Sequence, residues 1–218
     1  MKKLIALSGA LMVLLLTGCA HPKKPYDYSA FRASKPASIL VLPADNKSPD
    51  INAAHSLNSL VTRPLAEAGY YVFPVAVVEE TFQQNGVTSA TDAQAVSAKR
   101  LNEIFHADSA LYVSISEYGS SYRVIDSVTI VTAKARLVDL RSGKEIWQGK
   151  ASASDSEDGN NNNGGLVGML VSAAIKQIAS NVTDKAHTVA GLTSNRLLAQ
   201  NEQGGLLTGP RYKLVSAR

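Results

Sequence analysis

The chain has 218 residues, with 22 Lys and Arg against 18 Asp and Glu and a formal charge of +4. Lys2 and Lys3 supply two of those cations; past residue 18 the balance is 20 basic to 18 acidic, with no dense basic run and no basic–aromatic interleaving, which argues against a nucleic-acid partner. About 200 residues remain past that point, enough for one ordinary domain, and the single cysteine, Cys19, excludes an intrachain disulfide.

The first residues, Met1, Lys2 and Lys3, form a positive n-region, and an apolar run follows over 4–16, broken mildly by Ser8 and Gly9. That length suits a signal-peptide core and is short for a membrane span. The run ends in Leu16, Thr17, Gly18 and Cys19, which resembles the bacterial lipobox: an aliphatic residue, two small residues that admit a peptidase, and a thiol nucleophile that accepts diacylglycerol. The resemblance implies that 1–18 is a signal peptide, that cleavage falls before Cys19, and that its new amino group carries a fatty acid such as palmitate. Buried alkyl chains contribute ~0.8 kcal/mol per methylene, so several chains on one residue hold a protein firmly. Ala20 rather than aspartate follows the cysteine; by the same resemblance this points to the outer membrane, with the domain in the periplasm. No later apolar stretch is long enough to cross a bilayer as a helix.

Residues 19–37 read as the lipidated N-terminus and a tether, extended at Pro22, Pro25 and Pro36. Lys23 and Lys24 lie there, either as part of a solvated linker or in reach of acidic headgroups. The continuous apolar run 38–43, closed by Pro43, predicts a strand buried on both faces. Ile51, Ala54, Leu57, Val61, Leu65 and Ala68 recur at helical spacing, Gly69 is placed as a C-cap, and Pro64 is expected to kink or split that helix. Residues 70–74 read as a second strand and 75–84 as a short helix stopped near Gly86. Thr91 and Gln94 fit a capping box opening one helix that turns Ala95, Ala98, Leu101, Ile104 and Phe105 to the core.

Residues 108–117 read as a third strand, and Gly119, Ser120 and Ser121 as a turn. A β-rich stretch over 122–140, the turn Arg141, Ser142, Gly143, Lys144, and a returning strand over 145–153 predict a hairpin. The Asn/Gly-rich 155–165 reads as a loop, 166–185 as an apolar helix, and 192–218 as an irregular tail. The pattern gives one domain of class α/β or α+β over 38–191: a mixed β-sheet with helices packed on it and a C-terminal hairpin followed by an apolar helix.

Two sets of residues carry a family resemblance. The run Ile39, Leu40, Val41, Leu42, Pro43, the segment 106–113, and the stretch 135–147 with Arg136, Leu137, Val138, Asp139 before its Gly143 turn resemble the envelope module of the TolB N-terminal domain and of CsgG-type secretion lipoproteins. The run Gly69, Tyr70, Tyr71, Val72, Phe73, Pro74, together with the Asn/Gly loop before an apolar helix, is more closely similar to a family of Gram-negative lipoproteins that includes a meningococcal vaccine-candidate antigen. The resemblances imply an α/β fold, an envelope location, and a part in assembly or transport. Neither supplies a catalytic motif.

The histidines, His21, His55, His106 and His187, show no metal-ligand spacing, and no metal or other cofactor is expected. There is no Gly-x-Ser-x-Gly elbow and no phosphate-binding loop. Glu79 with Glu80, and Asp155 with Glu157 and Asp158, read as solvated acids rather than a general acid–base pair. Trp147 is expected to pack across the sheet. Leu166, Val167, Gly168, Met169, Leu170, Val171 and Ile175 are apolar nearly all round, so this segment must be covered, either within its own domain or by self-association or an envelope protein partner. The leading expectation is a non-enzymatic outer-membrane lipoprotein, tied to the membrane by its N-terminal lipid and working as an interaction or assembly module of an envelope complex. The alternatives are a subunit of a CsgG-type pore, whose spanning strand would fall in 122–140, and an envelope hydrolase with a triad unreadable from sequence.

Overall fold

The computed structural model describes residues 25–122, 127–156 and 182–212. A short helix, α1 (Ser29–Ser34), comes first. Then follow β1 (Ser38–Val41), β2 (Asp45–Asn46), α2 (Ala53–Glu67), β3 (Tyr71–Val72), α3 (Val75–Gln84), α4 (Ala90–Ala95), α5 (Ala98–Phe105), β4 (Ser109–Tyr122), β5 (Ser127–Asp139), β6 (Glu145–Ser154) and α6 (Val182–Leu197). One mixed sheet has the order β3-β1-β4-β5-β6, with β2 also on β4. β1 is parallel to both β3 and β4, while β4, β5 and β6 run antiparallel.

The topology explains where the helices go. From β1 the chain moves outward to β3 through α2, then back across β1 to β4 through α3, α4 and α5. Right-handed crossovers in opposite directions place their helices on opposite faces. Two cores result. Ile39, Val41, Leu111, Val113, Val131, Leu137 and Trp147 pack beneath α2 and α6. Leu40, Leu42, Ala110, Val138 and Leu140 pack beneath α3, α4 and α5. The unbroken run 38–43 is therefore apolar because both of its faces are covered, as its pattern predicts. Each fully buried Ile or Leu there contributes about 1.5–3 kcal/mol.

Both ends of the described chain are sewn into the first core. Tyr28 and Phe31 are buried, and Tyr28 Oη lies 2.6 Å from the Gly205 carbonyl and accepts from Gly204 N at 3.0 Å. The tail returns along the end of α2: Gly209 N donates to Ala68 O at 2.7 Å and Arg211 N to Gly69 O at 3.1 Å. Gly69 sits at φ +89°, and a Cβ there would stand 2.2 Å from Tyr212 N. Gly69→Ala is therefore expected to cost about 2–3 kcal/mol and lower Tm by roughly 5–10 °C, from left-handed strain plus displacement of the tail. Calorimetry reads this directly, and an unchanged Tm would show that the tail is not held there.

The edges of the sheet are guarded. β3 is two residues long. On β6 the Gln148 N–H donates to Tyr26 Oη at 3.0 Å, and Arg196 Nη1 donates to the Ser152 carbonyl at 2.9 Å. Such devices keep an edge from pairing with another chain.

Several sequence expectations need correction. Residues 29–34, placed in an extended tether, are helical, because Tyr28 and Phe31 gain a core to bury in. Ile51 lies in a turn ahead of α2 and is 85% exposed. Pro64 does not split α2, which runs on to Glu67. The single helix opened by Thr91 is instead two. Ser89 caps α4 through Asp92 N at 3.0 Å, Val96 is extended, and Ser97 caps α5. As a result Ala95 is exposed, Ile104 is 38% exposed, and Ala93 and Leu101 are the buried positions. Gly119 lies within β4 rather than in a turn, paired with Ile130. The last helix, expected to end at 185, runs to Leu197 and so enters the stretch read as an irregular tail from 192.

Candidate functional site

Helices α3, α4 and α5 cover only the β3–β1–β4 half of their face. The other half, over β4, β5 and β6, has no cover among the described residues. Side chains alternate along each strand, so the pairing register states what this face carries: Tyr112 opposite Arg136 opposite Gln148, then Ser114 opposite Lys134 opposite Lys150. With Gln94 from α4 these residues line a depression of about 480 Å³. Gln94 is fixed by hydrogen bonds from Nε2 to the Pro43 and Val113 carbonyls, both 2.9 Å.

The centre of this face is cationic. Lys134 and Lys150 are direct cross-strand neighbours and both are exposed. Arg136 Cζ lies 3.8 Å above the Tyr112 ring centre, a cation–π contact that ties the guanidinium to the ring. Burial pushes the Tyr112 hydroxyl up, and Arg136 partly offsets that shift. Glu117 and Glu145 stand at the two ends of the patch. Glu117 is engaged by Thr132 Oγ1 at 2.6 Å, and among the described residues neither carboxylate comes within 4.0 Å of the three cations.

A second grouping brings a serine to a histidine. Ser56 Oγ on α2 is 2.7 Å from His187 Nδ1 on α6 and accepts from Tyr118 Oη at 2.7 Å. A nucleophilic serine needs its base oriented by a third group, and among the described residues no carboxylate bonds His187. His55 contacts Glu79 at 3.6 Å on an exposed surface, and His106 caps α5. No group of three His, Cys, Asp or Glu stands at metal-binding distance among the described residues. Asp155, one of the acids read as solvated, instead pairs with Lys185 at 3.0 Å and accepts from Thr129 N.

The lipobox residues Leu16, Thr17, Gly18 and Cys19 lie outside the described residues, as do Leu166, Val167, Gly168, Met169, Leu170, Val171 and Ile175. Of the stretch considered as a pore strand, Val131, Ala133, Ala135 and Leu137 belong to the core covered by α2 and α6, so their apolar side meets protein rather than lipid. Trp147 packs across the sheet as expected, with Nε1 donating to the Gly204 carbonyl at 3.1 Å. The cationic face went unread as a site because its residues are dispersed along the chain. The available signal was Lys134 with Arg136, and Gln148 with Lys150, each two apart on strands joined by the Gly143 turn.

Residues 26–211 match the family described as "Putative lipoprotein GNA1162-like". The chain belongs to this family. A relative from Neisseria meningitidis serogroup B, itself called a putative lipoprotein, is 51% identical over 213 residues, covering 97% of each chain. The crystal structure of lipoprotein GNA1162 from Neisseria meningitidis is 57% identical and superposes with a TM-score of 0.54, over 67% of this chain and all of that one. The matched residues of this GNA1162-like chain begin at Tyr26, the residue whose hydroxyl receives the Gln148 amide, so the family unit includes the N-terminal strap of the fold.

Proposed function

We propose that the chain is a lipid-anchored lipoprotein of the outer membrane, carried on Cys19 after removal of residues 1–18, and that its periplasmic domain is a non-enzymatic interaction or assembly module of an envelope complex. Membership of a lipoprotein family supports the anchor. The observation that carries the reading is the strap. Tyr26, Tyr28 and Phe31 are tied into the fold only seven residues after Cys19, and a fully extended chain of that length spans ~25 Å at most. A domain held so close to its anchor is a fixture of the membrane surface and does not sample the periplasm on a long leash. The partner-facing element in this reading is the apolar run 166–175, which as a sequence offers no polar stripe.

The test is site-specific crosslinking in intact cells from positions within 165–175, with mass spectrometry of the products. Capture of a second copy or of a defined envelope protein is the expected result. Links confined to the same chain would identify the run as covered by its own domain and remove this partner surface.

A further inference from the structure

We propose that the open sheet face bearing Lys134, Arg136 and Lys150 rests on anionic lipid headgroups. The inference deepens the anchoring reading above and rests on it.

Three observations converge. First, the cluster is electrostatically incomplete. Lys134 and Lys150 are directly opposed across an antiparallel pair, an arrangement that destabilises a sheet when uncompensated. Arg136 stands on the same face, and no described carboxylate is in ion-pair reach. An external layer of negative charge relieves this repulsion. Second, the face is an open depression whose charged lining is entirely cationic, Lys134, Arg136 and Lys150 beside Tyr112, Val113 and Ala135, which suits a layer of phosphodiester headgroups. Arg136, in contact with the Tyr112 ring, carries a guanidinium fork of the kind that suits phosphate.

Third, the anchor leaves from this same strand. The Gln148 N–H that meets Tyr26 Oη belongs to the strand that carries Lys150, two residues away. Tyr26 itself packs on the core side of that edge strand, and the sequence ahead of it includes Lys23 and Lys24. An acidic protein could also satisfy the charge, but the headgroup surface is always within the ~25 Å reach of the anchor. A Lys or Arg near an anionic membrane surface strengthens attachment roughly fivefold.

The full lipidated protein is reconstituted into vesicles of phosphatidylcholine alone and of phosphatidylcholine mixed with phosphatidylglycerol. Acetylation rates of individual lysines are then read by mass spectrometry. Lys134 and Lys150 are expected to react about fivefold more slowly on the anionic vesicles. The protection should fade in high salt, as the screening length shrinks from ~10 Å at 0.1 M to ~3 Å at 1 M. Lys185, on the helix that packs against the opposite face, should react equally on both. Equal rates at Lys134 and Lys150 on chains that float with both vesicle types would overturn the headgroup proposal alone. Protection seen only in intact cells would also overturn it and assign the face to an acidic protein. A chain that floats with neither vesicle type would overturn the anchor, and this proposal with it.

Discussion

Trp147→Ala is expected to destabilise the domain by about 3–5 kcal/mol and lower Tm by roughly 10 °C. The indole is 1% exposed in the larger core, and its N–H is satisfied by Gly204 in the tail. Gly149, two residues on along β6, leaves room for the ring: a Cβ there would meet the indole at 2.6 Å. Removing the ring therefore opens a cavity and also orphans the contact that, with Tyr28, holds residues 201–205. Trp147→Phe separates the two effects, since it retains most of the volume and loses the N–H. A Tm for Trp147→Ala within a degree or two of wild type would show that the tail and β6 do not share a core.

Asp139 is expected to contribute strongly to the acid limb of stability. Its side chain is 5% exposed at the hairpin end of β5. Burial pushes its pKa up, but hydrogen bonds outweigh this: Ser34 Oγ donates to Oδ2 at 2.5 Å, Ser142 N and Oγ to Oδ1 at 2.7 and 2.8 Å, and Arg141 Nη2 to Oδ2 at 3.1 Å. The net result is a folded-state pKa of about 2, below the ordinary 3.8. A carboxyl with a depressed folded pKa stabilises the fold above its unfolded pKa and loses that contribution as pH falls through the folded one. About 2.5 kcal/mol is thus present at neutral pH and lost progressively between roughly pH 5 and pH 2. Asp139→Asn is expected to cost about 2–3 kcal/mol at pH 7, by weakening the acceptor that four donors share, and to flatten this acid limb. Tm measured from pH 2 to 7 for both proteins checks it; parallel curves would mean that other carboxylates set the acid stability.

Local patterns carried much of the fold. The unbroken run 38–43 marked a strand covered on both sides, the Gly143 turn marked the hairpin, and Trp147 marked the sheet side of the core, because each depends on a few adjacent residues. What escaped depends on distant ones. Pro22, Pro25 and Pro36 made residues 19–37 look like a solvated leash, yet Tyr28 and Phe31 sit three apart and bury against a tail 170 or more residues later. Ser89 and Ser97 each cap a helix, but a continuous apolar spacing hid the break at Val96. The cationic face is the clearest case. The near-neutral charge past residue 18 gives no hint of it, and only the register that sets Lys134 against Lys150 brings its cations together. The run 16–19, by contrast, is four consecutive residues, and its resemblance to a lipobox needs no fold to be noticed.

The most direct test of the anchor is mass spectrometry of the N-terminal peptide from protein extracted out of cell envelopes. The expected product is a chain that starts at Cys19, with diacylglycerol on its sulfur and a fatty acid on its amino group. A free Cys19 thiol, or an N-terminus upstream of it on otherwise mature protein, would contradict the lipid anchor and the membrane-seated module built on it.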